Sequence, residues 1–259
     1  MHPMTKTTFN RFVGHALCHP VIGRALALAS RDTFRFHGST IHAPHAVVRP
    51  SLQASLFWGI YESAEVRFVQ RHLGRSLDVI ELGASIGAVS CVIRSVLPAA
   101  RRVVCVEADP VLASLATENL HRNAGSAPFD VVNRAIDYTG AGEGEATFAR
   151  RDQSTSGALV GLHGGETETF AVRRTTVASL AREYGLREYA LVSDIEGAEA
   201  GLIASAPESL DGCRQIIIEL HDTEWQGHRW RVEDLIQHLV GSRFELIDQH
   251  GPVCYFERS

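Results

Sequence analysis

The sequence lacks a surplus of positive charge: 25 lysines and arginines stand against 30 aspartates and glutamates, and Lys6 is the single lysine. The net charge of −5 argues against nucleic acid as the main partner, because polyanion binding rests on Lys and Arg gathered on one face. Paired cysteines are also lacking. The five thiols (Cys18, Cys91, Cys105, Cys213, Cys254) are widely spaced with no Cys-x-x-Cys, and Cys91, Cys105 and Cys254 lie in apolar runs, where a thiol acts as a small hydrophobe. This spacing argues against a disulfide framework or zinc knuckle, and a reducing cytoplasm is the expected compartment. No long apolar run occurs. In residues 11 to 30, His15, His19, Pro20 and Arg24 leave only Ala25 to Ala29 uninterrupted. A signal h-region needs ~7 to 15 such residues and a membrane span ~20. Repeats, low-complexity tracts and Pro/Gly/Ser-rich linkers are absent too, so the 259 residues are expected to form one large domain with attachments.

What is present falls into two parts. Residues 1–77 read as an appendage or lid. A broken helical segment precedes Thr33, a small hairpin turns at Gly38-Ser39, and a helix starts near Ser63 with Ala64, Val66, Phe68, Val69 and Leu73 on its apolar face. From Asp78 onward, short β-branched runs alternate with helical stretches, which predicts a parallel sheet covered on both faces. Residues 139–176 read as an inserted pair of strands with a Gly-, Ser- and Thr-rich turn. The last two strands, FELID and VCYFER, are joined too tightly for a parallel return, so one strand near the sheet edge must be reversed.

ELGASIGA, Glu81 to Ala88, sits where the first strand of this second part turns into a helix. Gly83 can take positive φ and admit a ligand to the backbone, and Gly87 opens a helix whose free N–H groups attract negative charge. Glu107 ends the next strand at the spacing from which an acid reaches a ribose diol. Together these predict a nucleoside site. A dinucleotide fingerprint would want glycine where Ser85 stands, and Glu81 beside the loop would repel a pyrophosphate. S-adenosyl-L-methionine (SAM), with an ammonium, a sulfonium and a ribose, matches Glu81 and Glu107 better than NAD does.

VIELGASIGAVS, VVCVEADP, ALVSDIEGAEAGLI and IIIELH, in this order, resemble the FkbM family of SAM-dependent methyltransferases over about Trp58 to Phe256. The resemblance implies an α/β fold: a Rossmann-like, seven-stranded class I methyltransferase sheet, mostly parallel, with one antiparallel strand in a C-terminal hairpin. An N-terminal helical and hairpin appendage would be added to a SAM-binding domain at 78–259. It also implies O-methylation of a hydroxyl on a small-molecule or glycan acceptor. Glu81 and the loop residues Gly83, Ser85 and Gly87 would then hold the methionine end, Glu107 the ribose, and Ala108 and Asn133 to Ala135 the adenine. Tyr61 and Glu62 would close over the cofactor. One departure concerns the lysine that often precedes the Asp-x-Glu-Gly motif in the family; here Val192 and Ser193 stand before Asp194.

Two pairs of groups at strand ends are candidates for the proton chemistry: Asp194 with Glu196, and Glu219 with His221. The i, i+2 spacing sends each pair to one side of its strand. His221, with an ordinary pKa of ~6.5, is the expected base, with Asp194 orienting the acceptor or holding the ammonium and Glu196 beside it. No metal is expected, since HDTEWQGHRW carries no standard ligand spacing. Phe57, Trp58, Trp225 and Trp230 are expected to wall the acceptor pocket. The pairs Arg150-Arg151 and Arg173-Arg174 read as solvated surface. The alternatives are a non-catalytic SAM-binding partner protein and, less favoured, an NAD-linked oxidoreductase.

Overall fold

The computed structural model describes residues 17–139, 144–151, 157–159, 166–205 and 210–259. The start of the 11–30 stretch and the Gly-rich turn of the insertion lie outside them. Short β-branched runs build the central sheet. Strands β3 (Asp78–Leu82), β4 (Val103–Glu107), β5 (Phe129–Asn133), β10 (Tyr189–Ser193), β11 (Cys213–Glu219), β14 (Phe244–His250) and β15 (Val253–Arg258) pair in the order β14-β15-β11-β10-β3-β4-β5. From β11 to β5 every pair is parallel, and β15 runs antiparallel to both neighbours. The mostly parallel seven-stranded sheet with a reversed strand in its C-terminal hairpin is thus observed.

The strand period of two divides the core. Val79, Val192 and Ile217 face one layer, where α3 (Ser63–His72), α4 (Ala88–Val96) and α5 (Pro110–Asn123) pack. Ile80, Leu191, Ile216 and Ile218 face the other, with α6 (Val177–Glu183), α7 (Glu199–Ser205) and α8 (Val232–Gly241). Each fully buried Ile or Leu contributes about 1.5–3 kcal/mol, which makes both faces obligatory rather than one. All helices are short: among the described residues none is long and apolar enough to cross a membrane.

The segment before Asp78 joins the first of these layers. Helix α1 (Pro20–Ser30), hairpin β1 (Thr33–Phe36) and β2 (Ser39–His42), and helix α2 (Pro50–Phe57) add Ala27, Phe34, Ile41 and Leu52 to the same apolar cluster. The hairpin turns at His37-Gly38, both with positive φ, one residue before the expected position. Its β2 edge is closed by asparagine side chains. Asn119, fully buried on α5, accepts from the His42 N–H at 2.7 Å and donates to the His42 carbonyl at 2.9 Å, and Asn123 does the same for Thr40. Two side-chain amides thereby do the work of a neighbouring strand.

Three elements differ from expectation. Among its described residues the insertion holds three strands rather than the expected pair: β7 (Glu145–Arg151), β8 (Gly157–Leu159) and β9 (Glu166–Thr175). They form a separate sheet, β6-β9-β7-β8, with β6 (Ala135–Ile136), which breaks from β5 at Arg134. Helix α2 carries no strong apolar period. His221 to Trp230 is a hairpin, β12 (Thr223–Trp225) and β13 (His228–Trp230), turning at Gln226-Gly227 with φ of 53° and 74°; the turn signal lies in that dipeptide.

Candidate active site

The ends of β3, β4 and β10 meet at a cavity of about 320 Å³. After β3 the chain passes through Gly83 and Ser85 into α4. Gly83 (φ 81°) lines the cavity, but its missing side chain serves a neighbour: a Cβ there would stand 1.8 Å from the Asp194 carbonyl oxygen. The sequence assigned that space to a ligand; the structure assigns it to the backbone after β10. Gly87 (φ 78°) does not line the cavity, and a Cβ there would come 2.9 Å from Ala116 Cα on α5, so its missing side chain serves the packing of α4 on α5. Ser85 does line it, in left-handed backbone with φ 50°.

Glu107 holds that strained serine. Its Oε2 accepts from the Ser85 N–H at 2.7 Å and its Oε1 from the Asp109 N–H at 2.9 Å. Burial pushes its carboxyl up, against the pull of those N–H bonds, to about 7. A carboxylate keeps further lone pairs beyond these two bonds, so Glu107 still faces the cavity as an acceptor. Ala108 and Ala135 line the cavity as expected. Asn133 does not: its Nδ2 donates to the Glu107 and Ala108 carbonyls at 2.9 and 2.8 Å, bracing the segment that would hold a ribose and an adenine.

At the other end the lining is acidic. Glu81 is 2% exposed, and its Oε2 has no hydrogen-bond partner; burial, opposed by Ser90 and Cys105, raises its carboxyl. Asp194 presents a buried Oδ1 that is equally unpartnered. Its carboxyl is raised well above the usual range by burial and then by Glu62, Glu219 and Glu196, against the pull of His221. Tyr61 and Glu62 enter from the turn before α3. Glu62 is lifted to about 7 by burial and then by Glu219 and Glu196. Three of the cavity residues (Glu62, Ser85, Glu196) hold left-handed φ of 43°, 50° and 52° without being glycine, and such strain gathers at sites the surrounding fold over-determines.

Two lining or supporting acids were not singled out from the sequence. Glu65, buried one turn after Glu62, shares its helix face and lines the cavity. Glu199, fully buried, is the last acid of the D-I-E-G-A-E run. Its Oε1 accepts from the Ile195 N–H at 3.1 Å and its Oε2 from the Gly197 N–H at 2.8 Å, clamping the turn that carries Asp194 and Glu196. His221 is not in the lining. Its Nδ1 lies 3.3 Å from Glu199 Oε1 and its Nε2 3.7 Å from Glu219 Oε1. Burial alone would depress the imidazole, but Glu199, Asp194 and Glu196 outweigh it and lift it to about 9. The imidazole thus stands behind the lining, against Glu199, rather than inside the cavity.

The sign follows from that shift. A group whose folded pKa lies near 9 against an ordinary 6.5 contributes stability that is complete below 6.5 and lost as pH rises through 9. We therefore expect the His221 ring protons to titrate near 9 by NMR, and near or below the ordinary value in Glu199→Gln. An unchanged titration in that variant would remove Glu199 as the cause.

The donor set suits cations. The ligand atoms of the three carboxylates Glu62, Asp194 and Glu219 lie within 4.8 Å of one another, close enough to share a hard cation. The expected aromatic wall does not form around the cavity. Phe57 and Trp58 are exposed, with the Trp58 indole donating to the Leu17 carbonyl at 3.1 Å, and Trp230 packs on the core. Only Trp225 of the four lines a cavity, the neighbouring one. Arg174 is not solvated surface either: its side chain is 22% exposed and its Nη1 lies 3.6 Å from Asp137 Oδ2.

The family model described as Methyltransferase FkbM domain matches residues 81–249, from Glu81 at the cavity to Gln249 in the final hairpin. No curated protein matches the chain. Among solved structures the chain is similar to a ribosomal protein L11 methylase from Lactobacillus delbrueckii subsp. bulgaricus, at 12% identity and a TM-score of 0.42, covering 77% of this chain and 79% of that one. It is similar to M. capricolum TrmK in complex with S-adenosyl-homocysteine, at 6% identity and a TM-score of 0.44, covering 75% and 67%. It is also similar to the mitomycin 7-O-methyltransferase MmcR, at 12% identity and a TM-score of 0.41, covering 80% and 57%.

Proposed function

The chain belongs to the FkbM methyltransferase family, and on that premise we propose that it transfers the methyl group of SAM to a hydroxyl oxygen of a sugar or secondary metabolite. Membership makes it a SAM-dependent methyltransferase; the oxygen acceptor is the proposal. The observation that carries the reading is the buried, unpartnered Glu81 Oε2 in the wall of a cavity that also holds Glu107. An orphaned buried carboxylate oxygen is costly, and an ammonium group would supply both the missing donor and the counter-charge. Glu107 would take the ribose hydroxyls, and Ala108 and Ala135 would lie beside the adenine.

Bound SAM supplies an electrophilic methyl group on a sulfonium. The chain's residues do the rest. Tyr61, Glu62 and Glu65 line the side contributed by the segment before Asp78, which we read as a cover over the donor. Alignment of acceptor and methyl within about 3–3.5 Å accounts for much of the acceleration in such displacements. The acceptor's proton needs a base. With the Glu81 oxygen given to the ammonium, Asp194 is the other described lining carboxylate with an unsatisfied oxygen, and the His221 imidazole held by Glu199 favours its ionised form before the transfer. We assign proton acceptance to Asp194, the clamp to Glu199, and acceptor orientation to Glu196.

Incubation with methyl-labelled SAM and a panel of neutral glycosides and phenols tests the acceptor atom. The label should be recovered as a base-stable ether methyl. Recovery on nitrogen or carbon would overturn the oxygen assignment while leaving methyl transfer intact.

A further inference from the structure

A second cavity of about 400 Å³ adjoins the first, and Ile136 and Ala198 line both. It stands on the elements that follow β10 and β11: Ala198 and Gly201 at helix α7, and Trp225 on hairpin strand β12. Ala198 is two residues past Glu196, so this space begins beside the acids over which an acceptor hydroxyl would meet the donor. Its other wall is the inserted sheet and the Ile136–Thr139 segment, which nothing in the donor-binding account uses.

The furnishing is specific. Asp137, 6% exposed, accepts from the Thr139 N–H at 2.7 Å and the Thr139 hydroxyl at 2.6 Å. Arg174, whose Nη1 lies 3.6 Å from Asp137 Oδ2, keeps a buried Nε with no hydrogen-bond partner. A Cβ at Gly201 would stand 3.2 Å from Trp225 Nε1 and 3.4 Å from Tyr138 Cβ, so glycine is what lets the indole lie close on the helix. Among the described residues the charged lining is Asp137, Glu145 and Arg174, two acids to one base, which disfavours an anion. An indole face, an unsatisfied N–H donor and a buried carboxylate together suit a ring with a C–H face and many hydroxyls.

We propose that this second cavity is the acceptor subsite and that it takes the non-reacting body of a neutral polyhydroxylated ring, stacked on Trp225 with hydroxyls toward Asp137 and Arg174. The inference rests on the methyltransferase reading above. That reading leaves the acceptor as any sugar or secondary metabolite; the subsite excludes phosphorylated and other anionic acceptors.

The test uses the full chain with S-adenosylhomocysteine (SAH) present. Saturation-transfer NMR is run with methyl glucoside and methyl xyloside as neutral probes and glucose 6-phosphate as the anionic one, on wild type, Trp225→Ala and Gly201→Val. The valine variant retains the tryptophan but, with a Cβ 3.2 Å from Trp225 Nε1, moves the indole off its seat on the helix, so it disturbs the subsite without removing the side chain and guards against a folding defect in Trp225→Ala. We expect transfer to a neutral glycoside in wild type and roughly ten-fold or greater weakening in both variants, with SAH affinity within two-fold of wild type in both. Failure of every neutral glycoside while SAH binds, tighter binding of glucose 6-phosphate, or unaltered glycoside binding in both variants would overturn the subsite and leave the methyltransferase reading standing. Failure of wild type to bind SAH would instead bring down that reading, and the subsite with it.

Discussion

Asp194→Asn lowers kcat by about 10²- to 10⁴-fold, the range expected for loss of a positioned general base, while SAH affinity stays within a few-fold of wild type. The reasoning is geometric first. Asp194 follows β10 at the cavity wall, and its Oδ1 is buried without a partner. Asn is isosteric, so the turn clamped by Glu199 remains. Its amide cannot accept a proton. The charge balance even favours the variant's fold, because Asp194 is raised well above the usual carboxylate range by burial, Glu62, Glu219 and Glu196. Thermal stability should therefore hold or rise as kcat falls, a split that a merely structural role would not produce. Turnover within about three-fold of wild type would remove Asp194 from the proton transfer. The same loss in His221→Ala would be expected only through Asp194, since His221 stands outside the cavity lining.

Glu81→Gln carries the second large effect, on binding rather than on turnover. Truncating one partner of a buried charge pair costs about 2–5 kcal/mol, or roughly 30- to several-thousand-fold in affinity. Gln keeps the volume and loses the charge. In the free protein Glu81 is a buried carboxylate whose Oε2 finds no donor, so Gln relieves the apo fold. The melting temperature without ligand should be unchanged or higher, and the upward shift on adding SAH should shrink or vanish. Opposite signs for the two readings separate a ligand-binding acid from a structural one. Retained SAH affinity in this variant would mean that the ammonium is held elsewhere.

Much of this site was legible in the sequence because strand ends and glycine turns have strong local signatures. ELGASIGA placed Glu81, Gly83 and Ser85 at one end of the first central strand, and the alternation of β-branched runs with helices placed Glu107 and Asp194 at neighbouring strand ends. The tight C-terminal pair of strands announced the reversed strand. What failed to read was anything set by tertiary approach. The missing side chains of Gly83 and Gly87 read as room for a ligand in one dimension, yet Asp194 and Ala116 occupy that space, and of the two only Gly83 lines the cavity with its backbone. Asn133 sits at the right strand end but turns its amide onto the backbone. His221 has the right residue type, but only the fold reveals that Glu199 sits beside its Nδ1 and moves its titration. The aromatic residues were equally opaque: Trp225 reaches a cavity because Gln226-Gly227 makes a hairpin turn, whereas Trp58 ends a helix at the surface.

The central claim is that the acid-lined cavity at the ends of β3, β4 and β10 binds SAM. Calorimetric titration of the purified chain with SAH and, separately, with NADH tests it most directly. The account predicts one SAH per chain and no NADH binding, with the SAH affinity falling by roughly 30-fold or more in Glu81→Gln. Tight NADH binding with no heat from SAH would contradict it.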